Sequence, residues 1–448
     1  MGIAEAANAV GGTLQGAPVA FTGVSTDSRT VGAGELFIAL TGENFDGHDY
    51  VQASATRGAA AALVSRPMEV AIPQVIVEDT KLALGRLAAA WRARFTLPLV
   101  ALTGSNGKTT VKEMLAAILA RHGGREGVLA TEGNLNNDIG MPLTLLKLRE
   151  SHYFAVIEMG MNHAGEIDYL THIAQPTVAL VTNAHRAHVG MLGSVEAIAQ
   201  AKGEIYSGLK TGGTAIVNGD DAFASLWMSL NPDRRVLTFG MKEGVDVRGI
   251  LGDGQLRIIT PTDAFAVSLQ VAGEHNARNA IAACAAACAL EIAPHAIQAG
   301  LNGFAGVPGR LQKRAATTGA TLVDDSYNAN PESMKAALKV LALAPAPRVF
   351  VMGDMGELGD ATAQMHAEVG AFAKGVGIDR LLALGEASLH AVEAFGAGAE
   401  HFTDFEALAA RVESAATPNA TILIKGSRFM RMERIADRLA QPGGRNAA

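Results

Sequence analysis

The chain has 448 residues, enough for about three domains of ordinary size. With 49% hydrophobic and 18% charged residues and no low-complexity tract, it carries apolar material for several cores, which excludes a largely disordered chain. Its 37 Lys and Arg against 44 Asp and Glu leave a net charge of −7, so no global basic field is available to hold nucleic acid, and a polyanionic ligand needs a local site.

The opening segment, MGIAEAANAVGGTL, has no basic stretch followed by a long apolar one, and position 6 is Ala6 rather than Ser or Thr. Neither a secretory leader nor myristoylation is expected, no later run is long enough to span a bilayer, and the chain reads as cytoplasmic. The first 80 or so residues suggest a small α/β domain: strand-like APVAFTGVSTDSR and GELFIAL, an Ala-rich helix over DYVQASATRGAAAALV, and the strand QVIVE. From Leu97 onward the apolar runs LPLVALTG, YFAVIEMG, TVALVTN and TAIVNGD alternate with amphipathic segments, the rhythm of a mostly parallel sheet covered by helices. After Arg310 a third series begins, ATLVDD, RVFVMG, RLLALG and TILIKG, each ending in polar or glycine residues. The divisions fall near residues 82 and 313. Ligands in open α/β sheets sit beyond the carboxyl ends of the strands, so those endings are where chemistry is sought.

The strongest local signal is VALTGSNGKTT, in which a strand runs into Gly104, Ser105, Asn106, Gly107, Lys108, Thr109 and Thr110, and apolar residues then follow at helical spacing. Glycines let backbone amides approach phosphate oxygens, the helix N-terminus adds partial positive charge, Lys108 can bridge phosphates and Thr109 can ligate Mg²⁺. Leu102 stands where the first glycine of a standard phosphate loop would be, which makes this a shortened variant.

Other chemistry-bearing residues follow in order. Glu158 ends a buried strand, a costly place for a carboxylate unless it is paired or bound to metal. His185 and His188 follow the next strand end, and His185 lies closer to it. Taken alone, Lys202 on its helix reads as solvated. In the segment GEHNARNAIAA, Asn276 or Asn279 is placed to cap a helix, and Cys284 and Cys288 in the Ala-rich run beyond read as helix packing rather than a disulfide or metal pair. Arg310 closes the segment VPGRL. In LVDDSYNANPESM, Asn330 before Pro331 reads as a helix cap and first turn, which leaves Asp324, Asp325 and Asn328 at a strand end without a structural explanation.

In this order, the phosphate loop, strand-end Glu, His, Lys, HNARN, Arg and DDSYNANP closely resemble the ATP-dependent Mur ligases of peptidoglycan synthesis, over essentially the whole length. The resemblance implies an α/β protein of three domains: residues 1–82 holding a UDP-sugar, residues 83–313 a phosphate-loop ATPase with a mostly parallel sheet, and residues 314–448 a Rossmann-like domain that brings the amine. By motif position it implies Lys108 on the γ-phosphate, and Thr109, Glu158 and His185 on Mg²⁺. It also implies Asn279, Arg310 and Asp325 on ATP, and Lys202 as a carbamate. Asn134, Asn136 and Asn137 are assigned to the tripeptide-sugar side, and Ser25, Asp27 and Arg29 to the uridine diphosphate side. Some sister ligases carry a basic residue where Tyr327 stands, so that cation's role does not transfer.

Within the family, the segments STDSRTVGAGELFIALTGENFDGHDY, TEGNLNNDIGMPLTLL, GDMGELG and KGSRFMRMERI are most similar to the ligases that join D-alanyl-D-alanine to UDP-N-acetylmuramoyl-tripeptide through an acyl phosphate. That implies these two substrates as partners and a monomer without nucleic acid or membrane segment. The alternatives are a sister ligase adding the third amino acid, a folylpolyglutamate synthetase, or, from another class, a phosphate-loop switch protein. The last is expected to carry a guanine-reading N-K-x-D, which is absent.

Overall fold

Alternation along single strands divides each large sheet between two cores. In the strand Leu99–Thr103, Leu99 and Ala101 face one core while Val100 and Leu102 face the other. In Arg348–Gly353, Val349 and Val351 likewise oppose Phe350 and Met352. Strands buried on both faces need helices on both, and the computed structural model, which describes residues 1–186, 189–252 and 254–440, has that arrangement in a three-part α/β fold. Among the described residues no helix is long and apolar enough to cross a membrane.

The first sheet has five strands in the order Thr13–Gln15, Gln74–Ile76, Ala61–Val64, Leu36–Ile38, Val24–Ser25, parallel except for the first pair. Two expectations need correction here. The Ala-rich segment is not one helix: the helix Val51–Thr56 stops before Gly58, whose φ of +96° reverses the chain, and Ala61–Val64 is a buried strand in the middle of the sheet. Its small side chains suit a strand covered on both sides, and this packing overrides their helical propensity. In the segment APVAFTGVSTDSR, only Val24–Ser25 is a strand.

The helix Thr80–Arg92 links the first part to the second. Asp79 caps it by accepting from the Lys81 and Leu82 amides at 2.8 and 2.9 Å, and Ala83, Leu84, Leu87 and Ala88 form its buried stripe. That stripe joins Ile3, Leu36 and Leu63 of the first part to Leu99, Ile157 and Ile167 of the second in one continuous core. The expected division at residue 82 lies inside this helix.

The central sheet has nine strands. Its parallel portion runs Val128–Ala130, Phe154–Glu158, Leu99–Thr103, Val178–Val181, Thr214–Asn218, Arg235–Gly240, Val247–Gly252, and the antiparallel strands Gln255–Ile259 and Ala264–Val267 extend one edge. The third sheet runs Gln312–Ala315, Thr321–Asp324, Thr421–Lys425, Arg348–Gly353, Arg380–Leu384, Ala399–Phe402, antiparallel only at the first pair. Adjacent carboxyl ends of the second and third sheets open into the same cavity.

Candidate active site

The cavity between these two sheet edges has a volume of about 1200 Å³. From the central sheet it receives the phosphate loop after Leu99–Thr103, Glu158 at the end of its strand, His185 and Arg186 after Val178–Val181, and Asp220 and Asp221 after Thr214–Asn218. The third sheet contributes Asp325 and Tyr327 to Asn330, Gly356 to Leu358, and Lys425 and Ser427 to Phe429, and Arg310 comes from the connection between the two.

The phosphate loop is shaped by glycine. Gly107 has φ +82° immediately before the helix Lys108–Gly123, where a side chain would be strained and would strike Asn279, and a Cβ on Gly104 would collide with Thr182. Ser105 is pinned to the next strand end, its hydroxyl accepting from the His185 amide at 2.9 Å and donating to the His185 carbonyl at 3.1 Å. The Asn106 amide donates to Asn183 Oδ1 at 2.9 Å, so the loop hangs on its neighbour before any ligand arrives. Lys108 Nζ donates to the Gly104 carbonyl at 2.7 Å, folded over its own loop. Burial lowers its pKa, with Glu158 acting in the opposite direction and Arg310 adding to the fall. Gly104 is therefore behind the cavity wall and acts through its carbonyl, whereas Ser105 to Thr110 line the cavity.

Glu158 is 2% exposed; one carboxylate oxygen accepts from Asn136 Nδ2 at 2.8 Å, and the other is buried without a partner. An orphaned carboxylate oxygen on the cavity wall, with the Thr109 hydroxyl and His185 also lining it, fits a hard cation. Among the described residues no three His, Cys, Asp or Glu side chains form a ready-made cage. A cation here would share its coordination with phosphate oxygens and water, as Mg²⁺ commonly does. His188 lies outside the described residues.

Lys202 departs from its solvated reading. In the helix Val195–Gly203 it is 1% exposed and lines the cavity, and burial followed by the charge of Lys108 pushes its pKa well below the ordinary lysine range. Asn276 and Asn279 also depart from the capping reading: the helix Glu274–Ala289 begins after Gly273, Asn276 Nδ2 donates to the Ala272 carbonyl at 2.8 Å, and both asparagines line the cavity. Asn330 does cap its helix, with Ser333 completing a reciprocal pair, and its amide nitrogen also reaches Asn106 Oδ1 at 2.8 Å. Cys284 is buried in its helix, 4.0 Å from the Cys288 sulfur.

Arg310 Nη2 donates to Thr109 Oγ1 at 2.8 Å while its guanidinium lies 4.2 Å from the Tyr327 ring centre, and Arg428 approaches the same ring at 5.8 Å. Asp325 lines the cavity with one oxygen on the Leu311 amide at 3.1 Å and the other on Lys425 Nζ at 2.6 Å. Lys425, 3% exposed at the end of the strand Thr421–Lys425, was not singled out in the sequence, although a charge ending the apolar run TILIK is the same signal that marks Glu158. Arg186 was missed too: it spans to Glu332 at 2.6 Å and to Glu368 at 3.0 Å. Asn134, Asn136 and Asn137 line the cavity, whereas Ser25, Asp27 and Arg29 do not. They lie at the end of the strand Val24–Ser25 and in the turn that follows it, where an exposed Arg29 pairs with Asp27 at 2.7 Å and, through that hydrogen bond, lowers its pKa to about 2.

A phosphate loop, an orphaned carboxylate, a buried lysine of depressed pKa and a polar surface brought across from a second sheet define an ATP-using ligase site assembled between two parts of one chain. The chain belongs to the Mur ligase family: residues 20–92 match its model described as Mur ligase family, catalytic domain, residues 102–287 the Mur ligase middle domain and residues 309–428 the Mur ligase, glutamate ligase domain. It is 43% identical to the UDP-N-acetylmuramoyl-tripeptide--D-alanyl-D-alanine ligase of Escherichia coli, covering 98% of each chain. A crystal structure of MurF from Acinetobacter baumannii superposes with a TM-score of 0.90 at 38% identity, covering 97% of this chain and 98% of that one. The MurF ligase of Thermotoga maritima in complex with ADP gives 0.80 at 27% identity over 93% and 96% of the two chains.

Proposed function

We propose that this protein is the ligase that joins D-alanyl-D-alanine to UDP-N-acetylmuramoyl-tripeptide, converting ATP to ADP and phosphate, in cytoplasmic assembly of the peptidoglycan precursor. The observation that carries the reading is full-length likeness to ligases of that name, 43% identical over 98% of both chains. In this reading residues 1–82 hold the UDP-sugar, with Ser25, Asp27 and Arg29 toward the diphosphate, residues 83–313 hold ATP, and residues 314–448 bring the dipeptide.

A carboxylate is a poor acyl donor. The terminal carboxylate of the tripeptide attacks the γ-phosphorus of ATP, ADP leaves, and the resulting acyl phosphate is attacked by the dipeptide amine, which loses a proton as the amide forms and phosphate departs. Two anions must meet in the first step, so positive charge has to be gathered locally. Lys108 leaves the Gly104 carbonyl for the γ-phosphate. Arg310 neutralises the transferring phosphoryl group from the junction, with Tyr327 behind its guanidinium. Asn279 and Asp325 hold the nucleotide, and Asn134, Asn136 and Asn137 face the tripeptide-sugar. Thr109, Glu158 and His185 would hold Mg²⁺, which when bound supplies charge neutralisation on the phosphates. The depressed pKa of Lys202 raises the share of neutral amine, the form that adds to carbon dioxide with loss of a proton, and the carbamate so formed would place an anion where an ammonium would be repelled by a bound cation.

The test is phosphate release measured against a panel of amines. Turnover should require the sugar-tripeptide together with a D-Ala-D-Ala-like dipeptide, with free D-alanine a poor substitute. Faster turnover with a single diamino acid or with glutamate would replace this reading by a sister activity.

A further inference from the structure

Lys112 lies on the helix Lys108–Gly123, one turn past the phosphate-loop lysine, and is 1% exposed. A buried ammonium is costly unless it is paired, and nothing in the phosphate-binding role explains this one. Its partners lie elsewhere: Nζ donates to the Thr131 carbonyl and pairs with Glu113 at 2.6 Å.

Thr131 is also fully engaged. Its amide donates to the Val156 carbonyl at 3.0 Å and its hydroxyl accepts the Glu158 amide at 2.9 Å. The loop that Thr131 opens, TEGNLNN, then returns to the same strand end. Asn136 Nδ2 holds one Glu158 oxygen at 2.8 Å, the Asn136 carbonyl accepts the Gly160 amide at 2.8 Å, and a Cβ on Gly160 would press on the Asn136 side chain. The contacts therefore run from Lys112 to Thr131, whose hydroxyl holds the Glu158 amide, while Asn136, five residues along the loop that Thr131 opens, holds the carboxylate, whose other oxygen is the orphan.

We propose that Lys112 is a positioning residue that fastens the Thr131–Asn137 loop to the nucleotide-loop helix, so that one buried charge sets both the orientation of the Glu158 carboxylate and the placement of the asparagines that face the second substrate. This inference rests on the function proposed above for the identity of that substrate, but its structural part does not. A side chain that orients a metal ligand through intermediates has a recognisable effect: its loss weakens cation affinity by about 10–100-fold while leaving the ligand itself in place.

The test uses the whole chain with Lys112→Met, which keeps the aliphatic stem in the core and removes the ammonium. Amide exchange at Glu158 and Gly160 should accelerate. Calorimetric binding of Mg·ADP should weaken by about tenfold or more, with binding of ADP in EDTA unchanged. In turnover, the KM for the tripeptide-sugar should rise while that for the dipeptide stays put. A variant that melts earlier but keeps wild-type exchange at Gly160, wild-type Mg·ADP affinity and wild-type KM overturns the proposal, because a purely structural lysine behaves that way. Should Lys112→Met fail to fold, Thr131→Val removes the next contact in the series and carries the same expectations, and wild-type values for it overturn the proposal equally. Exchange and ADP binding do not depend on which amine the enzyme uses, so wild-type turnover without the dipeptide would remove the functional reading while leaving these two measurements to decide about Lys112.

Discussion

The two junctions of the chain are built from opposite materials. Between the first and second parts, the helix Thr80–Arg92 threads one apolar core through both, and Arg92 is buried with its guanidinium on backbone carbonyls, Nε on Ala174 at 3.0 Å and Nη1 on Phe95 at 2.6 Å. Between the second and third parts the contacts are mostly polar: Arg186 with Glu332 and Glu368, Asn330 with Asn106, and the Gly190 amide on the Glu357 carbonyl at 3.1 Å, with Val189 also packed against the third part's core and Arg310 of the connection reaching back to Thr109. Opening an apolar core exposes surface that water penalises, whereas half-buried ion pairs at a junction regain water on both partners when it opens. The first junction is therefore the costlier one to open, and the polar second one, where Lys108, Arg310 and Lys425 gather around the cavity, is expected to open and close around ligands.

The sharpest way to break the comparison is Arg310→Ala. If the second junction completes the site, kcat should fall by about 10²–10³-fold with an unchanged melting profile. Near-normal kcat would mean that closure contributes no chemistry. Lys202→Arg is expected to be comparably inactive, because guanidinium keeps its charge and cannot form a carbamate, while Lys202→Ala should recover part of its rate in acetate. An active Lys202→Arg enzyme would show that a cation suffices there.

Leu84→Ala addresses the first junction. It should cost about 2–5 kcal/mol of stability, read by denaturant unfolding, with kcat per folded molecule unaltered. By contrast, Arg186→Gln should change global stability by less than about 1 kcal/mol yet widen the spread of distances across the second junction. The smallest expected effect is that of pH. The hydrogen bond from Arg186 is the leading cause that takes the Glu368 carboxyl from 4.5 to about 2, so the contact is fully present above about 4.5 and is lost as pH falls from there toward about 2. The second junction should loosen over that window by scattering, before the first one does.

How much of this was legible in the sequence follows from the range over which each feature is determined. The phosphate loop and the strand ends were readable because the glycines, the lysine and the apolar run that make them are adjacent in the chain. Ala61–Val64 was misread because Ala and Leu favour helices, and only the surrounding sheet, with Gly58 turning the chain at its start, makes them a strand. The burial of Lys202 and Lys112 was invisible because each depends on segments distant in the chain: Lys108 beside the first, Thr131 against the second. Lys425 was within reach, since it ends a strand as Glu158 does, but its meaning comes only from Asp325 opposite it. Arg186 carries no sequence signal, because Glu332 and Glu368 lie more than a hundred residues away.

The central claim, one fixed junction and one that closes over the site, is tested most directly by paired spin labels in a Cys288→Ser background. One pair, Gln52→Cys with Tyr153→Cys, spans the first junction, and another, Tyr153→Cys with Leu343→Cys, spans the second. The account predicts a single narrow distance for the first pair with or without ligands, and for the second a broad distribution that narrows when an ATP analogue and the tripeptide-sugar are both bound. A second pair that stays narrow and unmoved under saturating ligands, or a first pair that moves with it, would contradict the account.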